Sequence, residues 1–254
     1  MTDFKVAVIG GGKGMGAWCV KFLSEQGCTV HAVEKGDEIK KAVSGCHVVV
    51  IAVPIHVTRE VIELAGPLLG PDDLLMDLTS LKEEPVKWMC ESTRAEVIGC
   101  HPLFGPSVDT VKGLNVVLCP VRAPHWIEWL RELFVCAGAH VIETTPHRHD
   151  RIMSVIQGLN HLNTMTMYAA LQKTGIAPDE LKDFTTPLFL LKQSIIDKTV
   201  GDQAKLHAEI ILKNPHMREM LALYEKSLSE IKDLISRGDV EKFAEYLGEG
   251  NQNE

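Results

Sequence analysis

The sequence has no run rich in Lys and Arg: it contains 26 of these residues against 34 Asp and Glu, a formal net charge of −8. This balance argues against a polyanion such as nucleic acid as a partner and favours a small ligand. No apolar run reaches the roughly 18 residues that a membrane-spanning helix needs, and the start of the chain does not show the pattern of a cleaved secretory signal. These absences predict a soluble, cytoplasmic protein with no membrane partner.

The spacing of a disulfide framework is absent as well. The seven cysteines form an odd set, include no C-x-x-C pair and lie mostly inside apolar runs, which predicts buried free thiols and a reducing compartment. No G-x-S-x-G element indicates a serine hydrolase. The histidines show no metal-ligand spacing together with acidic companions, so we predict that the protein holds no metal.

Residues 1–146 alternate short β-branched runs with amphipathic stretches. Nearly continuous apolar runs are typical of strands buried on both faces of a parallel sheet. Stretches such as 14–26, 57–69 and 124–136 are long enough for helices between such strands. The pattern predicts a doubly wound α/β domain of the Rossmann type that binds a dinucleotide. Its predicted strands are "FKVAVIG" (4–10), "TVHAVE" (29–34), "HVVVIAVP" (47–54), "LLMDLT" (74–79), "AEVIGC" (95–100), "NVVLC" (115–119) and "AHVIET" (139–144).

Residues 147–248 have a different texture, with Leu, Met, Ala, Lys and Glu at helical spacing and breaks at 175–178, 201, 215 and 238. Helices with a wide apolar face must pack on one another or on a second subunit. We predict an all-α substrate and dimerisation domain that forms a homodimer, with a monomeric helical subdomain as the alternative. Residues 249–254 contain too little apolar surface to order themselves and are predicted to be a flexible tail.

A glycine cluster, "GGGKGMG" (10–16), follows the first predicted strand and precedes a helix. In that context it predicts a tight turn and a helix N-terminus that bind a pyrophosphate, although Lys13 interrupts the strict G-x-G-x-x-G spacing. Glu34 is placed to accept hydrogen bonds from a ribose diol and to repel a 2′-phosphate, which favours NAD, while Lys13 and Lys35 leave NADP open. A glycine turn without a ligand is the alternative. We expect the cofactor to contact Gly10, Gly11, Gly12, Lys13, Gly14, Met15, Gly16, Glu34, Val53, Pro54 and Ser80.

Three polar stretches follow predicted strands, where ligands of open α/β sheets bind: 53–58, 78–85 and 100–107. We expect their loops to converge, so that Ser80 and His101 face one cleft. A histidine there can take a proton from an alcohol while a hydride leaves the same carbon, and Ser80 could orient the ring by a hydrogen bond. A structural histidine that caps a turn is the alternative for His101. For His161, His147 and His149, packing or helix capping is the simpler interpretation.

Seven segments together resemble the prephenate dehydrogenase family over nearly the whole chain, in the order and approximate spacing of that family. They are "VIGGGKGMG" (8–16), "VPIHVT" (53–58), "MDLTSLKEEP" (76–85), "GCHPLFGPS" (99–107), "HDRIMSVIQGLNH" (149–161), "TTPLF" (185–189) and "LHAEIILKNP" (206–215). The resemblance implies oxidative decarboxylation of prephenate to 4-hydroxyphenylpyruvate with a nicotinamide cofactor, in tyrosine biosynthesis.

The same resemblance implies roles for individual residues. His101 matches the histidine that hydrogen-bonds the 4-hydroxyl group of the substrate, and Ser80 matches a serine close to both substrate and nicotinamide. His161 matches a histidine on a helix that lines the substrate cleft. On this basis the substrate is expected to contact Ser80, His101, Gly105, Ser107, His161 and Lys192.

The chain departs from the family at one position. Many members have an arginine that binds a substrate carboxylate, and alignment of "TTPLF" places Leu190 there. Leucine cannot form a bidentate carboxylate contact. Lys192 is the nearest replacement, and Lys82, Arg151 or a residue of a partner subunit are others.

Two further hypotheses remain open on the sequence. One is an arogenate dehydrogenase, whose substrate has an amino acid side chain in place of the pyruvyl group. The other is a catalytically inactive, NAD-binding regulatory dimer, motivated by Lys13 and Leu190.

Overall fold

The computed structural model describes residues 4–201 and 203–249. The strands form one seven-stranded sheet in the order β2-β1-β3-β4-β5-β6-β7. The first five strands run parallel, β6 runs antiparallel to β5, and β7 runs parallel to β6. The strands are β1 (Lys5–Ile9), β2 (Thr29–Val33), β3 (Val48–Ile51), β4 (Leu74–Asp77), β5 (Glu96–Pro102), β6 (Asn115–Arg122) and β7 (His140–Glu143).

Each of the seven predicted strand segments overlaps one observed strand, and β5 and β6 continue past the predicted ends to Pro102 and Arg122. All residues of β3, β4 and β5 are buried, as expected for strands covered on both faces, whereas the edge strands β2 and β7 are largely exposed. The antiparallel direction of β6 was not predicted. It arises because residues 103–114 contain no crossover helix, so the chain returns beside β5 in the opposite direction.

Helices cover both faces of the sheet. On one face α1 and α5 pack an aromatic cluster that includes Trp18, Phe22 and Phe134, and on the other face α3 and α4 contribute Ile62 and Met89. This arrangement confirms the doubly wound fold. The helices of this half are α1 (Gly14–Glu25), α2 (Ile39–Val43), α3 (Ile55–Ala65), α4 (Glu83–Ser92) and α5 (Trp126–Cys136), with a 3₁₀ turn at Gly66–Leu68.

The second half is entirely helical. A long helix begins as α6, passes through a π-helical segment at Ser154–Leu159 and continues as α7. The helices are α6 (Pro146–Met153), α7 (Asn160–Leu171), α8 (Pro178–Asp183), α9 (Pro187–Val200), α10 (Ala204–Lys213), α11 (Met217–Arg237) and α12 (Val240–Glu249). Interruptions lie at each predicted break. Of the predicted tail, only Glu249 is described, as the last residue of α12.

The helical half leaves much of its apolar surface uncovered. Ile210, Met217 and Met220 are buried, but Phe184 is 84% exposed, Leu212 82% and Leu188 77%. Large apolar side chains exposed to this degree favour burial in a protein interface. None of the described helices is long and apolar enough to cross a membrane.

The two halves meet at the carboxyl edge of the sheet. Ile55 at the start of α3 and Leu81 before α4 form a small apolar cluster with Ile210 of α10. The N-terminus of α4 also contacts α6. This junction holds most of the polar side chains described below.

Candidate active site

The glycine loop between β1 and α1 permits a close approach to its backbone. Gly10 has φ of +87°, and a Cβ there would lie 2.7 Å from the carbonyl oxygen of Ala52. A Cβ on Gly16 would overlap the carbonyl oxygen of Gly10. Lys13 precedes α1 and its side chain does not cap the helix, so the first backbone N–H groups remain for an anion.

Glu34 lies directly beside this loop. Its carboxylate occupies the space that a side chain on Gly12 would fill, and its own backbone N–H donates to Asp37 at 2.8 Å. A carboxylate at this place fits the hydroxyl groups of a ribose. The loop, the uncapped helix and the carboxylate therefore fit NAD(P), which supplies a hydride acceptor when it is bound.

The three polar loops leave strands that lie side by side, as predicted. Strands β3, β4 and β5 are neighbours, with Ile51 paired to Asp77 and Asp77 paired to Gly99. Their carboxyl ends therefore share one edge of the sheet. Ser80 lies in the loop after β4 and is half-buried. His101 lies at the end of β5 and is 4% exposed.

His101 belongs to a hydrogen-bonded chain of three buried side chains. Its Nδ1 lies 2.8 Å from Nε2 of His149, and Nδ1 of His149 lies 2.7 Å from Oδ1 of Asp150. His149 is 1% exposed and Asp150 is fully buried. The chain joins β5 of the sheet to α6 of the helical half.

Hydrogen bonds from α4 determine the direction of this chain. The backbone N–H groups of Lys82 and Glu83 donate to the two carboxylate oxygens of Asp150 at 2.8 and 2.9 Å. An ionised carboxylate is an acceptor only, so Nδ1 of His149 must donate to it. In the neutral rings, Nε2 of His149 then accepts from Nδ1 of His101. Consequently Nε2 of His101 has an unprotonated lone pair, and among the described residues the hydrogen bond of this ring is made by Nδ1.

A buried ion pair lies behind His101. The Lys82 ammonium donates to Oδ2 of Asp77 at 2.5 Å and to the carbonyl oxygen of Cys100 at 3.0 Å. Both side chains are inaccessible to solvent. Gly99 makes room for the lysine, since a Cβ there would lie 2.8 Å from Cδ of Lys82. Lys82 is therefore committed to Asp77, and its predicted use as a substrate cation was wrong.

This environment keeps the His101 ring neutral. Burial, His149 and the positive charge of Lys82 together lower the pKa of His101 well below 6.5. Each of these effects disfavours the imidazolium form. Above that lowered pKa the ring can act as a base and the carboxylate–imidazole chain keeps it oriented.

Two sequence expectations about orientation need correction. No hydrogen bond joins Ser80 to His101 among the described residues, because His149 occupies the Nδ1 position instead. His149 does not cap a helix either: Thr145 caps α6 by accepting from the N–H of Arg148 at 3.2 Å. His149 and Asp150 were thus missed as site residues. Their signal was present in the "HD" that opens the segment 149–161.

A second histidine pair lies in the helical half. The rings of His161 on α7 and His207 on α10 are stacked, with centroids 4.1 Å apart. Burial, with His207 as a smaller contribution, lowers the pKa of His161 to about 4. Nδ1 of His207 lies 2.9 Å from the carbonyl oxygen of Thr199, so it donates there.

The other predicted substrate contacts lie in more open surroundings. Gly105 and Ser107 are exposed in the loop after β5, and Lys192 is half-buried on α9. Leu190 is 53% exposed. It lines a cavity formed by α7, α8 and α9, together with Tyr168 and Leu181. Arg151 is exposed on α6.

The fold and this site together define a protein with a nucleotide-binding half of the Rossmann type and a helical half. A family model described as "Prephenate dehydrogenase, nucleotide-binding domain" matches residues 21–143, and one described as "Prephenate dehydrogenase, dimerization domain" matches residues 145–249. The chain belongs to the prephenate dehydrogenase family.

Two curated relatives and one solved structure show the extent of the similarity. The chain is 32% identical over 269 residues to the "Probable arogenate/prephenate dehydrogenase" of Methanocaldococcus jannaschii, covering 98% of this chain and 60% of that protein. It is 31% identical over 245 residues to the "T-protein" of Enterobacter agglomerans, covering 95% of this chain and 65% of that protein. The chain thus spans about 60 to 65% of the length of these relatives.

The fold resembles that of the prephenate dehydrogenase from A. aeolicus in complex with hydroxyphenyl propionate and NAD+. The TM-score is 0.80 at 20% identity, and the match covers 98% of this chain and 96% of the other. At this level of identity the likeness concerns the fold.

Proposed function

We propose that this protein oxidises prephenate with NAD+ and decarboxylates it to 4-hydroxyphenylpyruvate, a step of tyrosine biosynthesis. The main observation in support is the chain from Asp150 through His149 to His101, which leaves Nε2 of His101 as a hydrogen-bond acceptor. An acceptor of this kind is what the oxidation of a ring alcohol requires. The names of the curated relatives support the same substrate class.

In this proposal His101 acts on the 4-hydroxyl group of the ring. Its Nε2 accepts the hydroxyl proton as the C4–H bonding pair leaves as hydride to the nicotinamide. The C1–carboxylate bond then breaks, and its electron pair enters the ring while carbon dioxide departs. The ring becomes aromatic and the phenolic oxygen regains the proton from His101, so no net proton is released.

The cofactor is proposed to be NAD rather than NADP. Glu34 lies against Gly12, at the expected position of the ribose diol, where its charge would repel a 2′-phosphate. Lys13 and Lys35 are exposed nearby and are the reason to measure both cofactors. The proposed contacts are those predicted from residues 10–16 and from Glu34, Val53, Pro54 and Ser80.

Substrate binding is proposed to involve Ser80, His101, Gly105, Ser107, His161 and Lys192. Leu190, at the position of the carboxylate-binding arginine, favours arogenate as the second candidate substrate. Arogenate has an ammonium group that offsets one of its carboxylates, so it needs less cationic help from the protein than prephenate does.

We also propose a homodimer formed by the helical half, with the division between the domains at residues 146 and 147. The strongly exposed Phe184, Leu188 and Leu212 support this assembly, because such side chains gain most from burial against a second copy. Light scattering of the purified chain tests it, and a monomer at micromolar concentration would contradict it.

Steady-state kinetics on prephenate and arogenate, each with NAD+ and NADP+, test the proposed reaction. We expect the highest kcat/KM with prephenate and NAD+. Higher kcat/KM with arogenate would select the second candidate. Calorimetric binding of NAD+ without turnover on either substrate would instead support the regulatory dimer.

A further inference from the structure

A second cluster of polar side chains lies outside the proposed active site. Glu83 in the first turn of α4, His147 in the first turn of α6 and His216 just before α11 each direct one ligand atom toward the others. These three atoms all lie within 4.8 Å of one another. Among the described residues, no other trio of His, Cys, Asp and Glu side chains meets this condition.

The separations are close to those of a metal's coordination shell. Oε1 of Glu83 lies 3.4 Å from Nδ1 of His147 and 2.6 Å from Nε2 of His216. Ligand atoms about 2.0–2.1 Å from a tetrahedral Zn²⁺ are about 3.4 Å apart. One pair already has that separation, and the shorter pair is a hydrogen bond that an ion would replace.

The backbone holds two of the three ligands in place. The N–H of Glu83 donates to Asp150, and the N–H of His216 donates to Oδ1 of Asn214 at 2.9 Å. Asn214 is buried and its amide donates to the carbonyl oxygen of Asp150 at 2.8 Å. His147, by contrast, has 68% of its side chain exposed. The cluster is therefore preorganised on one side and open to solvent on the other, where an ion can enter and water can complete its shell.

We propose that Glu83, His147 and His216 form a binding site for a divalent transition metal, with Zn²⁺ as the ion. Two imidazole nitrogens and one carboxylate oxygen are a donor set that suits Zn²⁺ and disfavours Mg²⁺ or Ca²⁺, which require mostly oxygen. The ion would link α4 of the nucleotide-binding half to α6 and α11 of the helical half. It would also fix Glu83, whose N–H donates to Asp150, the carboxylate that orients His149.

The proposed site departs from the sequence-based expectation that the protein holds no metal. The three ligands are far apart in the sequence, so their spacing gives no signal. The proposal does not depend on the proposed reaction, since it concerns ion binding without turnover.

Titration calorimetry of the full chain tests the proposal. Because the thiol of Cys136 is exposed and could bind zinc by itself, we use a Cys136→Ser background, freed of metal by a chelator and dialysed. We expect one equivalent of Zn²⁺ per chain and no detectable binding of Mg²⁺. At free Zn²⁺ about 100 times Kd, the thermal midpoint should rise by roughly 5–10 °C.

His147→Ala and His216→Ala should each weaken Zn²⁺ binding at least about 10-fold. His125→Ala is the matched control, because His125 also pairs with a carboxylate, Glu96, at 2.6 Å but belongs to no trio of ligand atoms among the described residues. It should leave the affinity unchanged. Since His147 is exposed, its variant keeps the test valid even if His216→Ala does not fold.

A second readout reports the ligands directly. Co²⁺ bound in place of Zn²⁺ should give visible ligand-field absorption that His147→Ala changes and His125→Ala does not. Failure of the parent protein to bind Zn²⁺ at micromolar concentration would overturn the proposal. Equal affinity in the parent protein, His147→Ala and His216→Ala would overturn it as well.

Discussion

Two histidine pairs of the protein, His101–His149 and His161–His207, differ in geometry in an instructive way. His101 and His149 meet edge to face, at 69°, with a hydrogen bond of 2.8 Å between ring nitrogens. His161 and His207 are stacked at 27°. Both pairs keep one ring neutral, since burial lowers the pKa of His101 and of His161.

The difference lies in what fixes each proton. In the first pair Asp150 accepts from His149, and the direction of every hydrogen bond follows from that ionised carboxylate. In the second pair no hydrogen bond joins the rings among the described residues, and His207 is held by the carbonyl oxygen of Thr199. Burial, with a smaller contribution from a neighbouring imidazole, thus keeps a ring neutral. A terminal carboxylate also determines which nitrogen has the lone pair.

The largest expected effect comes from His101→Asn. Asparagine can still form a hydrogen bond but cannot accept the hydroxyl proton, so we expect kcat to fall by ~10²–10⁴-fold with cofactor binding unchanged. His161→Asn is the comparison variant, and its effect should appear mainly in KM. Stopped-flow measurement of NADH formation separates the two parameters. A near-native kcat for His101→Asn would refute the proposed base.

The next effect is that of Asp150→Asn. The amide group would donate to Nδ1 of His149, which reverses the chain and leaves a proton on Nε2 of His101. We expect kcat to fall by roughly 10²-fold at every pH, because the base has the wrong tautomer.

Loss of a helix cap must be separated from this tautomer effect, because Asp150 also accepts from the N–H groups of Lys82 and Glu83 at the start of α4. Thr145→Ala removes the cap of α6 and should cost ~1 kcal/mol of stability without lowering kcat. A folded Asp150→Asn variant with kcat within about threefold of the parent would contradict the tautomer assignment.

The fold was largely readable from the sequence. Runs such as 47–54 and 74–79 are apolar throughout because β3 and β4 are buried on both faces, and that burial is a local property of each segment. The direction of β6 was not readable, since it depends on which neighbour accepts the strand. Helix α4 was not located in advance, because residues 78–85 begin with the polar loop that leads into it.

The site was only partly readable for a similar reason. His101 and Ser80 follow strands whose order the fold class predicts, so their shared edge of the sheet could be inferred. His149 lies 2.8 Å from His101 only after the helical half docks on the sheet. Likewise Lys82 looks like an available cation in the sequence, and only the packing of β4 against β5 commits it to Asp77. Contacts between distant segments leave no spacing to recognise.

The pH dependence of kcat/KM sharpens the comparison further. His101 must be unprotonated to accept the hydroxyl proton, and its pKa lies well below 6.5. We therefore expect kcat/KM to stay level as pH falls through 6.5 and to decline tenfold per pH unit only below the lowered pKa. An exposed histidine would give a decline near 6.5 instead. A measured acid limb at or above pH 6.5 would contradict the proposed environment of His101.

The smallest expected effect is that of His207→Leu on the pKa of His161, the ring against which His207 stacks. Removing the second imidazole should raise the pKa of His161 from about 4 part of the way toward 6.5, because burial remains the larger cause. NMR titration of the ring protons measures this pKa, with His125→Leu as an exposed control.

The lowered pKa of His161 also predicts how the stability of the folded protein depends on pH. Between pH 6.5 and about 4, His161 is protonated in the unfolded chain but neutral in the folded one. The free energy of unfolding therefore decreases as pH falls through this range. It should decrease less in His207→Leu. An unchanged pKa of His161 in the variant would mean that burial alone sets it, and the stacked pair would then be two neutral rings without electrostatic coupling.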